Sequence, residues 1–176
     1  PWVLDPVAVG ALSLRTRLAE QLKERKPRII RGNASEIMAL AGYSSVTKGP
    51  ESTSSSADAL QAARELALHT GAAVLVTGRT DYSTDGRQVI STEHGPPMMS
   101  RVTGVGCSMG ALAAACASVS SSPLQAAVST AVLMGIAGEM AFEQSPVPGS
   151  FAVSLLDSLY SLSPEEVARR ARILPL

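Results

Sequence analysis

The sequence predicts an α/β fold, a mostly parallel central sheet with helices on both faces. Three observations predict it. Short apolar runs, "WVLD" (2–5), "RIIR" (28–31) and "AAVLVTG" (72–78), alternate with longer segments at helical spacing. Apolar residues make up 45% of the chain and aromatics only 3%, so the core is Ala, Val, Leu, Ile and Met. That composition suits closely packed helices better than an aromatic-rich β-sandwich. Finally, Asp5, Arg31–Glu36 and Thr77-Gly78 all fall at the carboxyl ends of the expected strands, the rim where open α/β sheets bind ligands.

Each element has a local reason. Trp2–Asp5 reads as a short strand and 6–12 as a loop. Ser13 is placed to cap a helix running to about Arg25, with Leu14, Leu18 and Leu22 on one face. Arg28–Arg31 is the second strand, and Asn33 caps a short helix through Leu40 that Gly42 ends. Tyr43–Ser55, rich in Ser, Gly and Thr, reads as a loop, and a helix follows over about Ser56–Thr70 until Gly71 stops it. Ala72–Gly78 is the third strand. Asp85-Gly86 favours a type I′ turn in a hairpin spanning Asp81–Thr92. Residues 93–99 are loop, leading to a Gly-x-Gly turn that opens a small-residue helix ending near Val119. Pro123 starts an apolar helix to about Gln144, "VPGS" (147–150) breaks the chain, and helices cover about Phe151–Tyr160 and Pro164–Arg172, the second capped by Ser163. There is no internal repeat, and residues 1–176 read as a single domain.

Composition also excludes functions. Formal net charge is zero, with Lys and Arg spread along the chain, so no footprint for nucleic acid or an anionic membrane is present. The most apolar run, Ala126–Gly138, is short for a bilayer span and is followed by Glu139, to which the sequence assigns no role. Cys107 and Cys116, if on one helix, lie about 13 Å apart along its axis, too far for a disulfide. Two free thiols point to the cytoplasm. The opening "PWVLDPVAVG" begins inside a buried strand with no cap or initiator Met, so the chain is expected to be the rear part of a longer one.

Several residues carry candidate chemistry, each beside a plainer explanation. In "RVTGVGC" (101–107), Gly104 and Gly106 let an anion approach the amides of a helix start, with Cys107 facing the same place. The plainer reading is a tight turn beside a small buried residue. In "RGNASE" (31–36), Asn33 and Glu36 suit a capping box, or an Asn-x-x-Glu pair holding Mg²⁺ through water while Arg31 meets phosphate oxygens. Asp5 is a strand-end turn residue or a second carboxylate near that metal, and the Thr77 hydroxyl binds a nucleotide phosphate or caps a turn. His69 and His94 have no partner at metal-ligand spacing, and Asp81 and Asp85 are accounted for by the hairpin.

Taken together, "LDPVAVGA", "RGNASEI", "VTG…DY.TDG", "RVTG.GC", "PGSF" and "LLDSLY" resemble the hydroxyethylthiazole kinases of thiamin biosynthesis, members of the ribokinase-like superfamily. The resemblance runs in order along essentially the whole chain. It implies a ribokinase-like three-layer sandwich and ATP-dependent phosphorylation of the primary alcohol of 4-methyl-5-(2-hydroxyethyl)thiazole. It further implies Arg31, Thr77 and Gly106 as ATP contacts, and Gly104 as a backbone contact to the thiazole. Asp5, Glu36 and Asn33 become the Mg²⁺ neighbourhood, and Cys107 the catalytic residue where most of the superfamily has an aspartate base. The partners implied are the thiazole alcohol, ATP and two further copies in a homotrimer with active sites between subunits. The alternatives are another ribokinase-like kinase of the hydroxymethylpyrimidine type, or a catalytically silent nucleotide-binding module. Cys107 argues against a nicotinamide-hydrate dehydratase, a relative in the same superfamily.

The sequence departs from the family pattern at three points. Val105 stands where the family usually has Thr, and Pro50-Glu51 where it favours Val-Asp. An N-terminal part, with a substrate-binding methionine and much of the subunit contact, is expected but does not precede "LDPVA". Without it the sheet would have an unpaired edge that invites pairing with another chain.

Overall fold

The computed structural model describes residues 1–43 and 56–176. Among these, strands β1 (Val3–Leu4), β2 (Ile29–Asn33), β3 (Ala73–Thr77), β4 (Asp81–Thr84), β5 (Val89–Thr92) and β6 (Ile173–Pro175) form one sheet in that order. The β1–β2 and β2–β3 pairings are parallel, and those joining β3 to β4, β5 and β6 in turn are antiparallel. The sheet is therefore mixed: its parallel half carries the predicted strand–helix alternation and its other half the hairpin.

Helices cover both faces. Successive strand side chains point to opposite sides, and here both sides are apolar. Ile30, Val74 and Val76 meet α1 (Ser13–Lys23), α2 (Ala34–Leu40) and α3 (Leu60–Thr70) through Ala19, Ile37, Leu40, Ala63 and Leu66. Ile29, Ala73 and Leu75 meet α4 (Val105–Val119), α5 (Pro123–Gln144) and α6 (Pro148–Ser161) through Met109, Ala113, Met134 and Phe151. The small residues of α4 and α5 allow these helices to pack closely, as the aromatic-poor composition implied.

α5 corrects the reading of its apolar run. The whole helix has 22 residues and is long and apolar enough to cross a membrane, but 72% of its most apolar window is buried inside the fold. It is enclosed by α4, α6 and strands β2 to β5, so its apolar surface serves the core.

Other boundaries differ for identifiable reasons. Leu12, not Ser13, is the N-cap of α1, and no side chain caps it. Thr16 ties that end instead, its hydroxyl accepting the Gly10 N–H and donating to the Leu12 carbonyl. Residues 56–59 form a turn, so α3 starts at Leu60. The hairpin is not type I′. Thr84 pairs with Val89 across a four-residue connection, in which Asp85 accepts the Arg87 and Gln88 N–H groups and only Gly86 has a positive φ, of 91°. "VPGS" begins a helix, because Pro148 occupies a first-turn position that needs no N–H bond. A short 3₁₀ helix (Pro97–Arg101) interrupts the loop before α4, and α7 (Pro164–Arg170), capped by Ser163, ends earlier than its sequence suggests. Strand β6 was not expected at all. The loop read at Tyr43–Ser55, with Pro50-Glu51, lies outside the described residues from 44 onward.

Candidate functional site

Three strand ends meet at one rim. Asp5 follows β1, Arg31 lies within β2, and the parallel register sets Asn33 opposite Thr77 at the ends of β2 and β3. Arg31 Nη1 reaches Asp5 Oδ2 at 3.2 Å and Oδ1 at 3.3 Å, and Arg31 Nη2 donates to Thr77 Oγ1 at 3.3 Å. The Thr77 hydroxyl in turn donates to the Gly32 carbonyl at 3.3 Å. One guanidinium therefore links the first and third strands across the second. Its Nε is buried without a hydrogen-bond partner, leaving a donor unspent at the rim.

The start of α4 lies over this pair. A Cβ built on Gly106 would stand 3.2 Å from Arg31 Nη1, and one on Gly110 would stand 3.0 Å from Asp5 Oδ2. These glycines are one helical turn apart, so their bare face lets the helix approach the ion pair. Gly104 is the N-cap with a φ of 98°, and nothing lies within 4 Å of the Cβ it lacks. Glycine is needed there for the left-handed backbone, and the space above stays open. Cys107 stands exposed in the first turn. The first amides of a helix have no carbonyl partner within it, so this end attracts anions. Val105 turns into the apolar cluster with Met98, Met99 and Val102. At that position the side chain serves packing.

Glu36 and Asn33 form the capping box in full. Asn33 Oδ1 accepts the Glu36 N–H at 3.0 Å and the Ser35 hydroxyl at 2.8 Å, while Glu36 Oε2 accepts the Asn33 N–H at 3.0 Å. The other carboxylate oxygen of Glu36 accepts the Ala8 N–H at 3.0 Å, holding a loop residue whose φ is 63°. Glu36 thus fixes the loop after Asp5, a contact the capping box alone does not explain.

The electrostatics follow. Burial raises the Asp5 pKa; Arg31 opposes this, while the charge of Glu36 adds to the rise. Burial pushes Asp81 up to about 6, partly offset by the Gly78 N–H bond and by Arg31. That bond is 2.9 Å long and closes the turn after Thr77. Ser56 supports the same turn by donating to the Thr80 carbonyl at 2.5 Å.

Among the described residues, no group of three or more His, Cys, Asp or Glu is arranged to hold a metal. Asp5 and Glu36 are two mutually repelling carboxylates at one rim. Both carboxylates are already engaged, Glu36 by two backbone N–H groups and Asp5 by Arg31, so a hard cation here would keep most of its water. This donor set does not suit a cation needing a cage of protein ligands.

The rim thus brings Asp5, Arg31, Thr77 and Gly106 together, with Glu36 behind them. Gly104 and Cys107 lie at the open helix start, and Asn33 has its side-chain oxygen engaged in the cap. Sequence reasoning missed Gly110, whose signal was its spacing of four from Gly106. It also missed Ala8, and assigned Asp81 wholly to the hairpin. His69 makes an exposed contact with Glu24 at 3.1 Å.

A parallel-edged α/β sheet carries a glycine-faced helix start over an Arg–Asp rim. Residues 1–165 match the family described as the hydroxyethylthiazole kinase family. The chain belongs to that family. It is 89% identical over 176 residues to a hydroxyethylthiazole kinase of Akkermansia muciniphila, covering 100% of this chain and 65% of that protein. It is 50% identical over 165 residues to one from Leptospira borgpetersenii, covering 94% of this chain and 62% of that one. A solved hydroxyethylthiazole kinase structure from Pyrococcus horikoshii superposes with a TM-score of 0.88 at 35% identity, covering 100% of this chain and 65% of that one. The chain thus has a ribokinase-like fold, and it spans just under two thirds of the length of these relatives.

Proposed function

We propose that this chain supplies the nucleotide- and acceptor-handling rim of a kinase that transfers the γ-phosphoryl group of ATP to the primary alcohol of 4-methyl-5-(2-hydroxyethyl)thiazole. The observation that carries the reading is the Arg31 bridge between Asp5 and Thr77, facing Gly106 at the start of α4. Family membership supports the same chemistry and the same acceptor.

Each residue has a role in the proposal. Arg31, held by Asp5 and Thr77, turns toward the phosphate oxygens of ATP, and its unspent Nε–H is available for the same anion. The Thr77 hydroxyl and the Gly106 amide add neutral donors. Gly104 offers its open backbone to the thiazole. Asp5 and Glu36, with Asn33 fixing the helix start, form the neighbourhood for Mg²⁺, which when bound neutralises phosphate charge. The acceptor oxygen forms a bond to the γ-phosphorus as the bond to the β-bridging oxygen breaks, and ADP leaves. Cys107 Sγ, as the thiolate, takes the alcohol proton and becomes the thiol. Phosphoryl transfer depends mainly on positioning and charge stabilisation, so a thiolate can replace a carboxylate as base.

The chain belongs in this reading to a single ribokinase-like domain, working in the cytoplasm as a homotrimer with sites between subunits. The two free cysteines and the mixed sheet, with the two-residue β1 at its edge, are in keeping with it.

The test is ADP release with Mg²⁺, comparing the thiazole alcohol with hydroxymethylpyrimidine. It is run on this chain alone and with the N-terminal third of a relative supplied. Thiazole-dependent turnover that falls about a hundredfold or more in Cys107→Ala, with ATP binding kept, is the expected result. Preference for the pyrimidine alcohol would replace the acceptor. ATP binding without turnover under either condition would leave a silent nucleotide-binding module.

A further inference from the structure

Glu139 sits within the apolar stretch of α5, and its partners explain it. Glu139 Oε1 lies 3.3 Å from His94 Nδ1, accepts the Gly95 N–H at 3.2 Å and pairs with Arg172 Nη2. The His94 side chain is 1% exposed. It packs into a notch at Gly135, where a Cβ would stand 2.2 Å from that of His94. The other imidazole nitrogen, Nε2, lies 2.8 Å from the backbone nitrogen of Arg172. A backbone N–H can only donate, so Nε2 must be bare and the proton must sit on Nδ1, donating to Glu139.

Arg172 immediately precedes β6. The three residues of that strand are all exposed, so burial holds it weakly. It is fixed by its pairing with β5, the Leu176 N–H bond to the Val89 carbonyl at 2.9 Å, and the His94–Arg172 junction.

We propose that His94 is a proton-operated latch for the C-terminal strand: neutral, it docks Arg172 and β6 against the sheet, and protonation at Nε2 releases them. A protonated Nε2 would point its hydrogen at the Arg172 N–H, two donors face to face. It would also bring a second cation beside the Arg172 guanidinium, which already shares Glu139. The charged groups around the ring are Glu139 from α5, Arg172 from the junction with β6, and Glu93 from the end of β5. Glu93 accepts Arg172 Nε through its carbonyl at 2.7 Å, and its carboxylate accepts the Thr80 hydroxyl at 3.3 Å. Glu139 favours the imidazolium, but burial, aided by Arg172, prevails and lowers the His94 pKa. The latch therefore opens on the acid side of the ordinary imidazole range. Undocking exposes the ring, so each unit of depression is worth about a tenfold shift toward the released strand as pH falls. This inference does not depend on the kinase reading.

The test is hydrogen exchange at the Arg172 and Leu176 amides between about pH 7.5 and about pH 5, corrected for intrinsic rates. Protection at both is expected to fall together, about tenfold per unit of pKa depression, while β2 and β3 amides hold. In His94→Gln, a side-chain oxygen can accept the Arg172 N–H and does not titrate, so the profile should be flat. An unchanged fall in that variant would overturn the latch. Should His94→Gln fail to fold, the imidazole nitrogen spectrum of the unaltered chain decides. A bare Nε2 at neutral pH, titrating together with the Arg172 amide, is expected. An Nε2–H tautomer, or titration without response at Arg172, would overturn it.

Discussion

Glu36 shows how one side chain can serve the fold and the site together. Its two oxygens hold the Asn33 and Ala8 amides, and its charge acts on Asp5. Glu36→Gln keeps one acceptor oxygen but turns an amide NH₂ toward the other backbone N–H. One donor loses its partner, which costs about 1–2 kcal/mol in a urea titration. On the proposed kinase reading, losing the charge has a separate effect: the Mg²⁺ concentration for half-maximal turnover should rise about tenfold, the equivalent of ~1.4 kcal/mol. Turnover that simply tracks the folded fraction would leave Glu36 a cap and nothing more.

At the scale of elements, glycine positions separate conformation from contact. Gly149, in the first turn of α6, has nothing within 4 Å of its missing Cβ and no positive φ. Gly149→Ala should stabilise by up to about 0.5–1 kcal/mol, because alanine loses less freedom in a helix. Gly135→Ala would set a Cβ 2.2 Å from that of His94 and 3.2 Å from its backbone, forcing α5 away from the segment leading to α4. A loss of about 1–3 kcal/mol is expected. Urea midpoints at constant slope read both, and a neutral Gly135→Ala would mean that the two segments separate freely. The same elements show what the sequence discloses. The Asn33–Glu36 cap, the Gly71 stop and the Pro123 start were legible because each is a local backbone requirement satisfied by a neighbouring residue. Asp5 and Thr77 were legible as strand-end residues, whereas β2 runs two residues past Arg31, the expected strand end, to Asn33. The hydrogen-bonded bridge among Asp5, Arg31 and Thr77 was not legible, since it depends on register between strands far apart in sequence. Strand β6 was hidden because three exposed residues have no face to alternate. Pro148 misled because a helix-breaking residue inside a helix is a helix-starting one at its first turn.

For the whole molecule, equal numbers of acidic and basic residues, 15 of each, leave little net repulsion near neutrality. Individual buried groups then have a large share in how stability depends on pH. Asp81 is held up at about 6 against an ordinary 3.8. The native state thus binds the proton that the unfolded chain has released, so the Asp81 contribution is full below 3.8 and is lost as pH rises to about 6. His94 has the opposite sign: with its pKa lowered from 6.5, its contribution is present above that value and is lost as pH falls below it. Where the windows overlap, the two slopes offset each other. Asp81→Asn keeps an oxygen to accept the Gly78 N–H but removes the titration. The variant should match the unaltered chain near pH 3.8, where Asp81 is neutral in the fold, and exceed it by about 1–3 kcal/mol at neutral pH. Its stability should rise more steeply with pH up to about 6.5, where the His94 term is unopposed. Urea titrations of both proteins across this range measure the difference, in which groups common to the two cancel. A constant offset at every pH would mean that the charge on Asp81 is immaterial, and that only its hydrogen bond to the turn after Thr77 matters.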